Sequence, residues 1–131
     1  MREIKFRFYD PVSGEMIYSD NSFFSCLSDF FSAFEIAVNK GNNPILTHHT
    51  GLKDANGKGI YENDILQFDN GDRFFINCEE WLELFVDWIG EPECEDQARD
   101  FYRIERAKII GNTFQNPELL NEPQNANSGI D

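Results

Sequence analysis

The sequence predicts one mainly β domain of the α+β class, built from a hairpin, one amphipathic helix and several short strands. Three observations lead there. Ile4, Phe6 and Phe8 alternate with Lys5, Arg7 and Tyr9, which is the period of a half-buried strand. Short apolar runs between Pro44 and Ile110 are separated by Asn, Asp and Gly clusters, the punctuation of strands joined by turns. From Ser22 to Asn39 the apolar spacing changes to that of a helix.

The elements follow in order. A hairpin is expected over residues 3–18. Its turn is Asp10-Pro11-Val12-Ser13-Gly14, where Pro presets φ and Gly accepts a positive φ. The helix over 22–39 places Phe23, Leu27, Phe30, Phe31, Phe34 and Val38 on one face, suited to lying across a sheet. Asp20, Asn21 and Ser22 each suit its N-cap, and Lys40-Gly41 suits its end. Pro44 to His49 can form a short strand. Asn56-Gly57 signals a tight type I′ turn, and Ile60 to Phe68 reads as the strand that follows. Asp69-Asn70-Gly71-Asp72 is a second turn, leading into a strand from Phe74 to Cys78.

Residues 77–90 fit two templates. Asn77 and Glu80 resemble a capping box, and Gly90 with Pro92 would end a helix. Leu82, Leu84, Val86 and Trp88 also alternate as one face of a strand. A loop over 91–98, a helical turn within 100–106, a last strand from Ala107 to Ile110 and a turn starting at Pro117 complete the domain, residues 1–120. Residues 121–131 are polar and read as a disordered tail.

Composition narrows the function classes. The 131 residues carry a net charge of −13, which disfavours direct binding to nucleic acid or to an anionic membrane. Acid concentrates between Glu79 and Asp100, with Arg99 as its one cation. That pattern reads chiefly as a solvated acidic face. No apolar run reaches the roughly 18 residues that cross a bilayer, and the N-terminus lacks a signal-peptide pattern. Cys26, Cys78 and Cys94 are odd in number and lack a Cys-x-x-Cys pair, as expected of reduced thiols in a cytoplasmic protein.

Tests for chemistry come out negative. The segment Gly51 to Leu66 is rich in Gly and charge, but its spacing is not that of a phosphate loop, and Lys58 precedes Gly59 rather than Ser or Thr. An EF-hand fails because Ile65 stands where a bidentate Glu is required. His48 and His49 are adjacent, so on a strand they face opposite ways and do not share a metal ion. Glu62 and Asp64 would share a strand face; paired carboxylates can do acid–base work, but a polar rim or a contact to Lys53 and Lys58 explains them as well. No catalytic set, metal site or cofactor is expected.

Five segments in this order carry a resemblance. They are Met1-Arg2-Glu3-Ile4-Lys5-Phe6-Arg7; Thr50-Gly51-Leu52-Lys53-Asp54 with Asn56-Gly57-Lys58; Ile60-Tyr61-Glu62 with Asp64-Ile65; Ile109-Ile110-Gly111-Asn112; and Asn116-Pro117-Glu118-Leu119-Leu120. Together they resemble the YopX family of phage and prophage proteins, whose biochemical function is unknown. The resemblance implies a small SH3-like or partly open β-barrel core. It therefore favours a strand over 82–89, paired with 73–78. It supplies no catalytic residues. Asn63 stands where the family usually has Gly, and Asn is the next-best residue for a left-handed backbone. Gly59 stands where a larger residue is usual, and should soften the strand there.

The expected function is a non-enzymatic binding or assembly module, with a protein partner or self-association into a homo-oligomer. The candidate interaction surface is Lys53, Asp54, Lys58, Glu62, Asp64, Trp81 and Phe85. Two alternatives are an acidic decoy that imitates DNA and an enzyme using Glu62 and Asp64.

Overall fold

A computed structural model describes residues 5–80, 83–93 and 101–121. The fold is mainly β, with an N-terminal hairpin, one long helix and a curled half-barrel sheet. Strands β1 (Phe6–Asp10) and β2 (Glu15–Tyr18) form the hairpin. Asp10 shapes its turn, accepting the Val12 N–H at 2.9 Å and the Ser13 N–H at 3.3 Å, and Gly14 takes φ +76°. On its other edge β1 pairs antiparallel with β3 (Ile45–Lys53), which in turn pairs with β4 (Gly59–Tyr61). The first sheet thus runs β2-β1-β3-β4.

Helix α1 (Leu27–Asn39) covers this sheet. Phe8 meets Phe30 and Phe34, each with ring centroids 5.4 Å apart, and Phe6 meets Phe31. The helix starts later than the apolar spacing predicts. The Asn21 side chain accepts the Phe23 N–H at 2.9 Å, and Cys26, at the N-cap position, is fully extended. A local side-chain turn at Asn21 competes with helix there. Phe23 consequently stands off the helix and is 89% exposed. Leu27 and Val38 are also exposed, while Phe24, Ala33 and Ala37 join Phe30, Phe31 and Phe34 in the core. The C-terminal end is as expected: Lys40 is the C-cap, and Gly41 follows with φ +79°.

The Asn56-Gly57 turn is not type I′. Such a turn needs positive φ at both central residues. Here Gly57 is at +81°, but the non-glycine residues at positive φ are Asn43 and Asn63 among the described residues. The Asp54 carbonyl accepts the Gly57 N–H at 2.9 Å, and the Asp54 N–H donates to the Lys58 carbonyl at 2.8 Å. Asn56 is thus a central residue, and Gly57 is the left-handed residue that returns the chain to the ladder.

The expected strand from Ile60 to Phe68 is divided. At Asn63, φ is +71°, and the chain turns a corner between β4 and β5 (Asp64–Gln67). Asn63 is tied on both sides: its N–H donates to the Ile76 carbonyl at 2.7 Å, and its side-chain amide donates to Thr113 Oγ1 at 3.0 Å. This corner moves the chain from the first sheet to the second.

The second sheet runs β7-β6-β5-β8, with β6 at Arg73–Glu80, β7 at Glu83–Ile89 and β8 at Lys108–Asn112. Residues 83–89 are a strand, paired from Arg73↔Ile89 to Cys78↔Leu84. Ile60, Leu66, Phe68, Phe74 and Ile76 form the core of this half. A short helix, α2 (Phe101–Ile104), brings Ile104 and Ala107 onto it. A 3₁₀ turn over Pro117–Leu120 ends the described fold. Tail residues 122–131 and loop residues 94–98 lie outside the described residues. Among the described residues no helix is long and apolar enough to cross a membrane.

Candidate functional site

Strand alternation turns Phe6 and Phe8 toward α1 and Arg7 to the opposite face. The sequence places Arg7 at what looks like a solvent position, yet it is 1% exposed. Its guanidinium meets Asp64 at 2.8 Å (Nη1 to Oδ1). Nη2 donates to the Glu62 carbonyl at 3.0 Å, and Nε to Thr47 Oγ1 at 3.3 Å. Nη1 also donates to the Tyr18 hydroxyl at 3.5 Å, and the Tyr61 ring lies 4.8 Å from the guanidinium carbon. The other Asp64 oxygen accepts the Tyr61 N–H at 2.8 Å. Burial raises the Asp64 carboxyl above its ordinary range, against the opposing pull of Arg7 and the Tyr61 N–H. Burial also pushes the Tyr61 phenol up, with the charge of Asp20 adding to it, so Tyr61 stays protonated.

Arg7 and Asp64 form the floor of a cleft of about 480 Å³ where the two sheets meet. The β3–β4 hairpin contributes His49, Lys58 and Tyr61, and β2 contributes Tyr18. Gln115 and Asn116 close the opposite side. That side is built by the segment after β8. Asn112 Oδ1 accepts the Phe114 and Gln115 N–H groups at 3.1 and 2.8 Å, and Asn116 Oδ1 accepts the Asn112 N–H at 3.1 Å. Gln115 then reaches the Gly14 carbonyl at 3.2 Å, and Phe114 stacks on Tyr9. A side chain at Gly111 would strike Asn116, whose Cγ lies 2.8 Å from the place of a Cβ. The closing Gly-Asn and Asn-Pro residues are therefore the frame of the cleft wall.

The predicted surface residues divide. Lys53 and Lys58 are exposed on the β3–β4 hairpin, and Lys58 faces the cleft. Asp54 is buried: its carboxylate accepts the N–H groups of Asn56, Lys58 and Ile109 at 2.9, 2.8 and 3.1 Å, pinning the hairpin to β8. Asp64 is buried in the cleft floor. Glu62 and Asp64 do not share a strand face, because the Asn63 corner lies between them. Glu62 meets His48 Nδ1 at 3.4 Å, while Asp64 meets Arg7. Neither carboxylate is held by Lys53 or Lys58. Phe85 is exposed on β7, away from the cleft lining. Trp81 lies outside the described residues.

His48 is half-buried and His49 is buried, one on each face of β3. The His49 ring accepts the Gly51 N–H through Nδ1 at 2.9 Å, and its Nε2 occupies the space a Cβ at Gly59 would need. Gly59 is thus required by a close approach. Cys26 is a free, exposed thiol. Among the described residues, no three His, Cys, Asp or Glu side chains cluster to hold a metal ion.

Sequence reasoning missed Arg7, Tyr18, Tyr61 and Gln115 as cleft residues. Their roles depend on pairing between distant strands. One signal was present: a cation between two Phe residues in a segment shared with a family.

A model described as YopX protein matches residues 5–121 of the chain. The crystal structure of protein EF1440 from Enterococcus faecalis is similar in fold, with a TM-score of 0.58 and 22% identity; the match covers 92% of this chain and 100% of that one. No curated protein matches the chain.

Proposed function

The chain belongs to the YopX family, and we propose that it is a non-enzymatic binding module which seats part of a partner protein in the polar cleft. As the family resemblance implies, it would be encoded by a phage or prophage and act in the cytoplasm of the bacterial host. One observation carries the reading. The ion pair on the cleft floor is committed to structure by its many bonds, while the rim above it keeps polar side chains facing open space. A pocket of about 300–1,000 Å³ with a few convergent polar groups is the ordinary form of a binding site. Homo-oligomerisation is one case of the same reading, with a second copy as the partner.

The test compares partner capture by the wild-type chain and by Lys58→Glu and Lys58→Ala, two changes on the cleft rim. The expected result is loss of capture with an unchanged melting temperature. Capture that survives these changes and is lost with Phe23→Asp or Phe85→Asp would place the contact elsewhere and overturn the reading.

A further inference from the structure

We infer that the cleft recognises a single carboxylate group carried by its ligand; this rests on the binding reading above and names the chemistry of the contact. Charge in the lining is the first argument. Lys5, Arg7 and Lys58 face Asp20 and Asp64 there, three cations against two carboxylates, in a chain whose net charge is −13. Asp64 is paired with Arg7 at 2.8 Å, and Asp20 with Lys5 at 3.6 Å. Lys58 has no carboxylate within ion-pair distance among the described residues. The cleft therefore has one cation to spare. A monoanion balances it, whereas a dianion would face the field of the acidic chain.

Donor supply is the second argument. The Tyr18 oxygen accepts from Arg7, so its own hydrogen is left to point elsewhere. The Tyr61 hydroxyl has no hydrogen-bond partner among the described residues, although the residue is 6% exposed and its phenol stays protonated. It is not sealed away from solvent either, since no buried side-chain polar atom lacks a partner among the described residues. Two phenol donors and one ammonium thus line a cleft whose two carboxylates, Asp20 and Asp64, are already paired with Lys5 and Arg7. A carboxylate offers two acceptor oxygens and one negative charge, and charge-assisted hydrogen bonds are the stronger kind.

Such a carboxylate has two sources, a protein partner or a free small acid. The full-length chain is titrated at constant ionic strength, with backbone amide shifts as the readout. The probes are acetate, succinate, inorganic phosphate, a tripeptide with a free C-terminus, its C-terminal amide, and acetamide. The expected result is saturable shifts at Lys58, Gly59, Tyr61 and Gly111 with acetate or the free tripeptide. Lys58→Gln and Tyr61→Phe should each weaken binding by about tenfold, as loss of a charged hydrogen bond does. Lys53→Gln, on the same hairpin but outside the lining, should leave it unchanged. A preference for the tripeptide points to a protein source, and equal binding of acetate to a free acid. Saturable cleft shifts with acetamide or the amidated peptide equal to those of the acids would overturn the carboxylate and leave the binding reading intact. Tighter binding of phosphate than of every carboxylate would overturn it in the same way. Absence of cleft shifts with every probe overturns the carboxylate, and the binding reading is decided separately by partner capture.

Discussion

Arg7 on β1 and Asp64 on β5 form a buried ion pair at 2.8 Å that joins the first sheet to the second. Their side chains are 2% and 4% exposed. Removing one partner leaves the other charged and buried, which costs about 3–5 kcal/mol. Arg7→Met and Asp64→Leu should each lower stability by about that amount in urea denaturation. The double variant should recover most of the loss, since an apolar pair of similar volume is often neutral or better. Additive losses in the double variant would show that the pair does not act as a unit.

Asn63 turns the corner at φ +71°. Asn63→Val should cost about 1–2 kcal/mol, because a β-branched residue resists the left-handed region. Asn63→Gly relieves the backbone but loses the bond to Thr113, so it should fall between wild type and the Val variant. Thermal unfolding of the two variants gives the order.

Gly59 and His49 occupy complementary space. Gly59→Ala alone should destabilise by about 1–3 kcal/mol through overpacking. In an Asn or Ser background at position 49 the same change should cost much less. A double-mutant cycle measures the interaction, and an equal cost in both backgrounds would reject the close approach.

Phe8 and Phe23 separate core from surface. Phe8→Ala should lose about 3–5 kcal/mol, the usual cost of an emptied aromatic site. Phe23→Ala should change stability little, since Phe23 is 89% exposed and Phe8 is 1% exposed.

Asp10 predicts a pH effect. Burial alone would raise its carboxyl, but hydrogen bonds from Asn42, Val12 and Ser13, together with the Lys40 charge, outweigh this and hold it below 3.8. A carboxyl whose folded value is depressed contributes stability above its unfolded value and loses it as pH falls through the folded one. The melting-temperature gap between wild type and Asp10→Asn should therefore be full at about pH 6 and shrink as pH drops below about 3.8. Asp64 has the opposite sign: its raised value favours folding most at low pH, and that contribution is lost as pH rises through the folded value.

Local chemistry made much of the fold legible. Asp10 to Gly14 announced the first hairpin and Lys40-Gly41 the end of α1, whereas the left-handed Asn63 came through the family resemblance. Each of the first two depends on a few neighbouring residues. The strand over 83–89 was legible only through the family resemblance, since its residues fit both periods and propensity alone slightly prefers a helix there. The start of α1 was not legible, because the Asn21 turn and the helix compete over the same residues at small energy differences.

By itself the sequence determined a mainly β domain with one helix, an acidic balance, and family membership carried by short Gly, Asn and Asp motifs. Tertiary structure alone decided which charges belong to the cleft. It buried Arg7 and Asp64 as a pair, withdrew Asp54 into a turn, and left Lys58 at the rim. The reason is range. Turn and period signals arise from neighbours along the chain. Whether a charge is buried and paired depends on strands that meet only when the two sheets close on each other.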